Sequence, residues 1–224
     1  MSSPRTVRAP VKLYDYVASA NCYKVRLLLA QLGREYERVP TDIFAGDTLT
    51  DAFAALNPAR STPVLETEDG RRLQESNAIL WYLAEATPFL PEDPLERAHV
   101  LKWLILEQTD VMPGIGGLRF RLLTRRWTAA EPAAVRRREL GLAALSRLEE
   151  HLRERAFFVA DRYTIADIAI YAYTHVAPDA GFDLDEFPAV TAWLRRVEAQ
   201  PRFVDDLVTY PLNATAGASR SIYD

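Results

Sequence analysis

Three prolines within residues 87–94 divide this chain into two halves with different hydrophobic patterns. Proline ends helices and stiffens linkers, because it lacks a backbone donor and has a fixed φ. Short alternating runs and helical stripes precede this segment, whereas only helical periodicity follows it. The sequence therefore predicts an α/β domain at residues 11–87, a linker at 88–94 and an all-helical domain at 95–210.

Upstream of the prolines, strands alternate with helices. Residues 11–14 alternate apolar and polar positions, as a half-buried strand does. A helical stripe follows and ends at Gly33. Its members are Val25, Leu28, Leu29 and Leu32. Further strands are predicted at 36–39, 64–67 and 72–74, with a short helix before Asn57 and another that Ser76 can cap. The predicted order is βαβαββα.

Downstream of the prolines, helices are predicted at 94–112, 131–155, 165–177 and 188–200. The run Pro113-Gly114-Ile115-Gly116-Gly117 predicts a break or bend after the first of them. Thr164 and Asp167 have the spacing of a capping box, with Asp replacing the usual Glu, which predicts a structural role for Asp167. Residues 211–224 predict an irregular tail.

The net charge and the small numbers of cysteine and histidine residues exclude several classes of protein. The chain has 27 Lys and Arg against 31 Asp and Glu, a net charge of -4, and lacks the basic excess that nucleic-acid binding needs. One cysteine excludes an intrachain disulfide framework and a multi-cysteine zinc site. The three histidines, at positions 99, 151 and 175, are scattered, so we expect no metal site. This cysteine usage fits a reducing compartment.

No targeting or membrane segment is evident. Residues 1–10 carry two arginines and two prolines, and no apolar stretch of roughly 7–15 residues follows as a signal peptide would require. We interpret residues 1–10 as a disordered leader. The most apolar later stretch, residues 165–177, contains Asp167 and His175 and is shorter than the ~20 residues that span a bilayer. We therefore expect a cytoplasmic protein that does not bind membranes.

The turn between the first strand and the first helix contains Ser19 and Asn21. A helix N-terminus presents unpaired backbone N–H groups and favours negative charge. A hydroxyl or amide placed there can also donate a hydrogen bond to an anion. Taken alone, either residue is equally explained as an ordinary N-cap.

Two further local features have the same ambiguity. Pro63 stands at the start of a predicted strand, where a missing donor is tolerated, and a cis bond after Thr62 would expose that residue's backbone to a peptide-like ligand. Without other information the bond is expected to be trans. Glu75 and Ser76 open a helix and would suit the ammonium and carboxylate of an α-amino acid, although a capped helix explains them as well.

A set of motifs occurs in fixed order between Lys12 and Phe203. They are Ser-Ala-Asn-Cys-Tyr-Lys-Val-Arg-Leu-Leu-Leu at 19–29, Leu-Asn-Pro at 56–58, Thr-Pro-Val-Leu at 62–65, Gln-Glu-Ser-Asn-Ala-Ile-Leu-Trp-Tyr-Leu-Ala at 74–84 and Tyr-Thr-Ile-Ala-Asp-Ile-Ala at 163–169. In order and spacing they resemble the cytosolic glutathione S-transferases. The resemblance is to bacterial serine- or cysteine-type branches, similar to theta- and phi-like and yeast nitrogen-regulator-like transferases. It implies a thioredoxin-like N-terminal domain, an all-α C-terminal domain and a homodimer.

The resemblance also implies roles at the first turn. Glutathione would be the co-substrate, with no metal. Ser19 stands where related classes place their catalytic serine, and Asn21 matches an asparagine that helps hold the glutathione thiol. Cys22 lies about one helical turn later, and we interpret it as a small packed residue. The alternative is a cysteine-type transferase in which Cys22 forms a mixed disulfide.

Glutathione itself would be held by four residues of the resembling motifs. Thr62 would bind its cysteinyl backbone beside a cis Pro63, and Glu75 and Ser76 would hold the γ-glutamyl amino and carboxylate groups. Thr62 departs from the Val or Ile more usual before this proline. The glycyl carboxylate has no certain partner in the sequence, although Arg60 is near.

The implied reaction is detoxification, in which the activated glutathione thiol attacks a small hydrophobic electrophile in the cleft between the domains. Candidate walls of that pocket are Tyr16, Trp103, Met112, Phe120 and Trp127, each of which is otherwise explained as a core or dimer contact. Two other functions stay open: glutathione-dependent reduction of disulfides or peroxides, and a non-catalytic binding or scaffold role.

Overall fold

The computed structural model describes residues 11–224, so the predicted leader lies outside the described residues. The first half forms a four-stranded sheet with three helices. The strands are β1 (Val11–Asp15), β2 (Tyr36–Pro40), β3 (Val64–Glu66) and β4 (Arg72–Gln74). The helices are α1 (Ala20–Leu32), α2 (Asp51–Leu56) and α3 (Ser76–Ala84). The predicted order βαβαββα is confirmed.

The sheet is mixed, with strand order β2-β1-β3-β4. β1 pairs in parallel with β2, with Leu13 opposite Arg38, and pairs antiparallel to β3, with Leu13 opposite Leu65. β3 and β4 are antiparallel neighbours. Buried and half-buried residues alternate along β1, as its sequence pattern predicts. The central position of β1 brings its carboxyl end, and the turn into α1, close to the start of β3.

The second half is helical. Its α-helices are α4 (Pro94–Leu106), α5 (Gly117–Leu123), α6 (Pro132–Leu152), α7 (Ile165–Thr174) and α8 (Pro188–Glu198). No strand follows β4 in the chain from residue 75 to 224. Asp93 caps α4 by accepting a hydrogen bond from the backbone N–H of Glu96 at 2.9 Å, and Pro94 occupies its first turn, where a missing donor costs nothing. The thioredoxin-like and all-helical architecture is therefore as predicted.

The run at residues 113–117, which was expected to break or bend the first helix of this half, does not break it. A π-helix at Glu107–Gly116 joins α4 to α5 without interruption, and α5 was not predicted from the sequence. The glycines allow close packing rather than a turn. A Cβ on Gly114 would lie 2.6 Å from the backbone nitrogen of Gly141, and one on Gly116 would lie 2.2 Å from the Tyr173 ring. The π-helix thus lies directly against α6 and α7.

Asp167 has the structural role that its spacing predicts. One carboxylate oxygen accepts hydrogen bonds from the backbone N–H of Thr164 at 2.9 Å and from the Thr164 hydroxyl at 3.2 Å, which completes the capping box at the start of α7. The other accepts from the Phe158 backbone N–H at 3.2 Å and from the Trp193 indole at 3.0 Å. The fully buried carboxylate therefore ties α7 to α8 and to the preceding loop.

The last residues are irregular, as predicted, apart from a short 3₁₀ turn at Leu212–Ala214. They nevertheless make specific contacts. The backbone N–H of Ala216 donates to the Thr124 carbonyl at 2.9 Å, and that of Arg220 donates to the Phe44 carbonyl at 2.9 Å. The tail therefore returns across α5 to the N-terminal domain. None of the helices between residues 11 and 224 has the length and apolar character of a membrane span.

Candidate active site

Ser19 lies in the turn between β1 and α1 and is the N-cap of α1. Its Oγ accepts a hydrogen bond from the backbone N–H of Cys22 at 3.3 Å, and its own backbone N–H donates to the Tyr16 carbonyl at 2.9 Å. A serine oxygen that accepts a hydrogen bond keeps its proton for donation, and the hydroxyl can rotate toward a ligand. Ser19 is therefore a cap whose hydroxyl proton remains available for donation.

Asn21 and Ser76 are joined by a hydrogen bond between α1 and α3. The Ser76 hydroxyl donates to Asn21 Oδ1 at 3.1 Å and lies 3.3 Å from Nζ of Lys24, which donates to it. Because Asn21 Oδ1 is engaged as an acceptor, the Asn21 side chain has its amide N–H groups left as donors. Asn21 and Ser19 line the same cavity.

The start of α3 differs in one respect from the sequence prediction. Glu75, rather than Ser76, is the N-cap, and Ser76 is the first helical residue. Glu75 has φ 68°, a left-handed conformation that is costly for a residue with a side chain. Its exposed carboxylate forms no ion pair within residues 11–224. The strained backbone thus holds an exposed carboxylate beside the first turn of α3, where its charge also acts on the Lys24 ammonium.

The peptide bond between Thr62 and Pro63 is cis, as the resemblance implied. Pro63 directly precedes β3, and Asn57 fixes the loop before it by donating from Nδ2 to the Ser61 carbonyl at 2.8 Å. Arg60, which has φ 53°, donates to the carbonyls of Thr48 at 3.1 Å and Thr50 at 3.2 Å. Its guanidinium is therefore partly engaged in holding this loop.

The structure brings all six predicted thiol- and glutathione-binding residues to one cavity. They are Ser19, Asn21, Thr62, Pro63, Glu75 and Ser76. Ile43, Arg60, Ser61 and Tyr223 complete its lining. Hydroxyl, amide and carboxylate groups predominate on these walls. The cavity is therefore suited to an extended polar ligand that carries both signs of charge.

A second cavity adjoins the first, and Ser19, Asn21, Ile43 and Tyr223 line both. Three of the predicted wall residues, Tyr16, Met112 and Phe120, line this second cavity. Phe44, Arg121, Tyr173 and Tyr210 contribute as well. An aromatic, largely apolar pocket therefore opens where the hydroxyl of Ser19 and the amide of Asn21 lie.

Trp103 and Trp127 do not line this pocket, which corrects the sequence prediction for both. Trp103 is buried in the helical domain, with its ring 4.7 Å from the rings of His151 and Phe158. Trp127 lies under the guanidinium groups of Arg121 and Arg137, at 4.6 Å and 5.6 Å from its ring. Helical periodicity identifies such residues as inward-facing, but it does not show which side of the helical domain borders the cleft.

The tail supplies a site residue that sequence reasoning missed. The ring of Tyr223 lies 5.2 Å from that of Phe120 and 6.3 Å from that of Phe44. Arg126 holds the end of the tail through an ion pair with Asp224 at 2.8 Å. The aromatic residues Tyr210 and Tyr223 in an otherwise polar segment were the signal, but no periodicity indicates where an irregular tail will lie.

Cys22 is close to the site but not exposed to it. Its side chain is completely buried, its Sγ accepts a hydrogen bond from the Tyr16 backbone N–H at 3.4 Å, and it lines neither cavity. Burial, reinforced by the negative charge of Asp15, raises the pKa of the Cys22 thiol to about 12. A thiol in this environment stays protonated near neutral pH and is a poor nucleophile.

Within the described part of the chain, no group of three or more His, Cys, Asp or Glu side chains is placed to hold a metal ion. The polar groups where the two cavities meet are the Ser19 hydroxyl, the Asn21 amide and the Tyr223 hydroxyl. Their arrangement can bind an anion at a helix N-terminus, beside a hydroxyl and an amide donor, next to an apolar pocket.

Comparison with known proteins agrees with this geometry. Residues 18–86 match the glutathione S-transferase N-terminal domain, and residues 111–201 match the glutathione S-transferase C-terminal domain. A glutathione S-transferase structure from Pseudomonas fluorescens superposes with a TM-score of 0.85 and 43% identity, covering 89% of this chain and 100% of that one. The protein belongs to the glutathione S-transferase family.

Two other similar proteins are informative about the site. A maleylacetoacetate isomerase of Rhizobium meliloti is 34% identical over 194 residues, 82% of this chain and 89% of the relative. A glutathione transferase structure from Pseudomonas putida, with one glutathione disulfide bound per subunit, is 26% identical, with a TM-score of 0.78 and coverage of 89% and 91%. Relatives of this protein therefore bear the names of different reactions, and one structure contains a bound glutathione disulfide.

Proposed function

We propose that this protein activates the thiol of glutathione and transfers glutathione to a small electrophile. The observation that carries the proposal is the junction of the two cavities at Ser19 and Asn21. One cavity offers partners for a charged tripeptide, and the other is lined by aromatic side chains. A glutathione sulfur atom at the junction would lie between the polar cavity that binds glutathione and the apolar pocket that binds the second substrate.

The polar cavity has a partner for each functional group of the γ-glutamyl end. The Glu75 carboxylate is exposed and forms no direct ion pair among residues 11–224, so it can pair with the ammonium group. The N-terminus of α3, with Ser76, receives the carboxylate. The backbone of Thr62, beside the cis proline, pairs with the cysteinyl unit in the manner of a short strand. In this binding mode the thiol would face Ser19.

Ser19 and the α1 N-terminus supply enough stabilisation for a thiolate. An ordinary thiol has a pKa near 8.5, and lowering it by about two units requires about 2.7 kcal/mol of preference for the anion. A hydrogen bond to a charged group contributes roughly 1.5–3 kcal/mol, and a helix N-terminus roughly 0.3–2 kcal/mol. Serine acts here as a donor and not as a nucleophile, so the mechanism requires no general base beside it.

Conjugation then proceeds by direct attack. The thiolate sulfur forms a bond to the electrophilic carbon, and the leaving group departs with its electron pair. The aromatic cavity excludes water and binds the apolar body of the electrophile. Cys22 takes no part, because its buried thiol lines neither cavity. Disulfide reduction, the alternative reaction, would therefore have to use thiols of glutathione alone.

The glutathione site is tested by calorimetry on Ser76→Ala and Glu75→Gln. Each variant should weaken glutathione binding by about 10-fold, as expected for loss of one charge-assisted hydrogen bond. Ser146→Ala is the matched control, because its exposed hydroxyl bonds within α6 to the Leu142 carbonyl at 2.9 Å. Unchanged affinity in both site variants would refute the assignment.

The type of reaction is tested by two assays on the full-length protein. Conjugation of an activated aryl chloride is expected, together with slower or undetectable turnover of a mixed glutathione disulfide. Faster turnover of the mixed disulfide would instead identify a glutathione-dependent reductase. Retention on immobilised glutathione with neither activity would identify a binding protein.

Our proposal includes a cytoplasmic homodimer that binds neither nucleic acid nor membranes. Its support is an exposed apolar face on α4, where the exposed fractions of Leu95, Leu101 and Ile105 are 67%, 48% and 55%. Such a face is suited to burial against a second copy. Light scattering should give twice the monomer mass for the wild type, and Leu101→Glu should shift the equilibrium toward monomer.

A further inference from the structure

Arg121 is the one charged residue among those that line the aromatic cavity in the described structure. It lies on α5, and its guanidinium lies 4.6 Å from the Trp127 ring and 5.8 Å from the Phe120 ring. The lining contains no aspartate or glutamate. A half-buried guanidinium would not strengthen the binding of neutral apolar molecules, and its removal from water costs free energy.

The charge of Arg121 is not neutralised by the protein. Its hydrogen bond in the described structure goes to the Gly117 carbonyl at 3.4 Å, and no carboxylate among residues 11–224 forms an ion pair with it. Its neighbours Arg126 and Arg137 are engaged elsewhere, with Asp224 at 2.8 Å and with the Pro113 carbonyl at 2.6 Å. Burial and the repulsion from Arg137 and Arg126 lower the pKa of Arg121, which marks a local excess of positive charge.

A second, independent feature of the same cavity is the hydroxyl of Tyr16. It is buried and has no hydrogen-bond partner in the described structure. A nearby carboxylate, Asp42, is already held by the Asn213 amide at 2.8 Å and by the Phe44 backbone N–H at 2.9 Å. A buried hydroxyl without a partner costs free energy that a ligand oxygen would recover. Tyr16 lines the cavity, so an unpartnered donor lies in its wall together with the Arg121 guanidinium.

Resting on the proposed function, we infer that the electrophile bound in the aromatic cavity carries a carboxylate, which pairs with Arg121. The apolar body of the substrate would pack between Phe44, Met112 and Phe120. Its reactive carbon would face the sulfur at Ser19, and the Tyr16 hydroxyl would donate to another oxygen of the substrate. The preferred substrate class is thus an acidic electrophile rather than a neutral one.

A matched pair of substrates isolates the contribution of the charge. 4-Chloro-3,5-dinitrobenzoate and 4-chloro-3,5-dinitrobenzamide share one reactive skeleton, and in both the thiolate forms a carbon–sulfur bond while chloride leaves with its electron pair. The kcat/KM of each is divided by its uncatalysed rate with glutathione, which corrects for intrinsic reactivity. The wild type should prefer the benzoate by about 10-fold or more, the value of one charge-assisted pair.

Variants assign that preference to Arg121. Arg121→Gln should remove most of the preference, chiefly through a higher KM for the benzoate, and Arg121→Lys should restore part of it. The control is Arg136→Gln, which makes the same charge change at an exposed position on α6. Because the readout is a ratio of two substrates, a partly folded variant does not mimic the expected result.

Binding of the two glutathione conjugates, measured by calorimetry, separates this inference from the proposed function. Preferential binding of the carboxylated conjugate that is lost in Arg121→Gln, without turnover of either substrate, would support the inference and refute conjugation as the activity. Turnover of both substrates with no preference, or with a preference that Arg121→Gln leaves intact, would overturn the inference and leave conjugation standing. Equal binding of both conjugates by an inactive enzyme would refute both.

Discussion

Nζ of Lys24 lies 2.9 Å from Oε1 of Glu107, and both side chains are completely buried. Lys24 belongs to α1 and Glu107 begins the π-helix of the helical domain, so this ion pair joins the two halves of the chain. Lys24 also donates to the Ser76 hydroxyl, which in turn donates to Asn21. The domain interface and the thiol site therefore share one hydrogen-bond network.

Removal of one partner of this pair should be strongly destabilising. Lys24→Met leaves a buried carboxylate without its counterion, which costs about 3–5 kcal/mol. The double variant Lys24→Met/Glu107→Gln removes both charges and should recover a large part of that loss. Urea denaturation monitored by circular dichroism measures the free energy of unfolding.

The exposed pair of Lys12 and Glu37, 3.4 Å apart, provides the control for this prediction. Lys12→Met should cost less than about 1 kcal/mol, because solvent screens the pair. A similar small loss for Lys24→Met would show that the buried pair does not hold the domains together. Failure of the double variant to recover stability would show that the lysine acts through packing alone.

Asp167→Ala should destabilise the fold without impairing the chemistry. The substitution removes the acceptor of four hydrogen bonds, from Phe158, Thr164 and Trp193, and leaves buried donors unpaired, at a cost of at least about 2 kcal/mol. The control is Asp93→Ala, an exposed N-cap whose loss costs about 1 kcal/mol. Loss of activity at full stability in Asp167→Ala would point to a catalytic role instead.

His175 should make stability depend on pH. Its ring stacks on Tyr171 at 4.5 Å, its Nδ1 donates to the Tyr171 carbonyl at 2.7 Å, and burial lowers its pKa from the ordinary 6.5. At pH values between the lowered pKa of the folded state and the ordinary pKa of the unfolded state, the unfolded state binds more protons than the folded state. The free energy of unfolding therefore falls as pH falls below about 6.5, by at most about 1.4 kcal/mol per pH unit for this group.

Unfolding in urea at about pH 7.5 and about pH 5.5 measures this linkage. His175→Gln should be less stable than the wild type at the higher pH, and the difference should shrink at the lower pH. The exposed His99 supplies the control for the chemical change, and His99→Gln should alter the free energy of unfolding at about pH 7.5 by less than about 0.5 kcal/mol. A constant difference between His175→Gln and the wild type would contradict the assignment.

Cys22 should be unreactive in the native protein. Because burial raises its pKa to about 12, an aromatic disulfide reagent should modify it at least about 100-fold more slowly in the native than in the urea-unfolded protein. Cys22→Ala should keep most of the conjugating activity. An inactive Cys22→Ala beside an active Ser19→Ala would reverse the roles of the two residues and identify a cysteine-type thiol transferase.

The polar half of the site could be predicted from short motifs only once their order and spacing showed the family resemblance. The turn with Ser19, the proline at 63 and the helix start at 75–76 each have short-range sequence patterns, and the order of the motifs relates them. The sheet then brings them together, because β1 and β3 are neighbours and both the Ser19 turn and Pro63 lie at the same edge. These residues could therefore be predicted without knowledge of distant contacts.

The aromatic half of the site depends on contacts that no local pattern encodes. Tyr223 reaches Phe44 across 179 positions of the chain, through an irregular tail held by Arg126. Lys24 is a lysine in a helix and would ordinarily face solvent; its burial depends on Glu107, which lies 83 residues away. Pro113 predicts a helix end, yet packing of the neighbouring glycines against α6 stabilises a π-helix there. In each case tertiary packing outweighs the local preference.

The central claim is that the Ser19 hydroxyl stabilises the glutathione thiolate. The most direct measurement is the ultraviolet absorbance of the thiolate as a function of pH, with glutathione bound at saturation. In the wild type the apparent pKa of the bound thiol should lie about two units below the free value of about 8.5. Ser19→Ala should raise it by at least about one unit, and Ser146→Ala should not change it. An unchanged pKa in Ser19→Ala, or a wild-type value equal to that of free glutathione, would contradict the account.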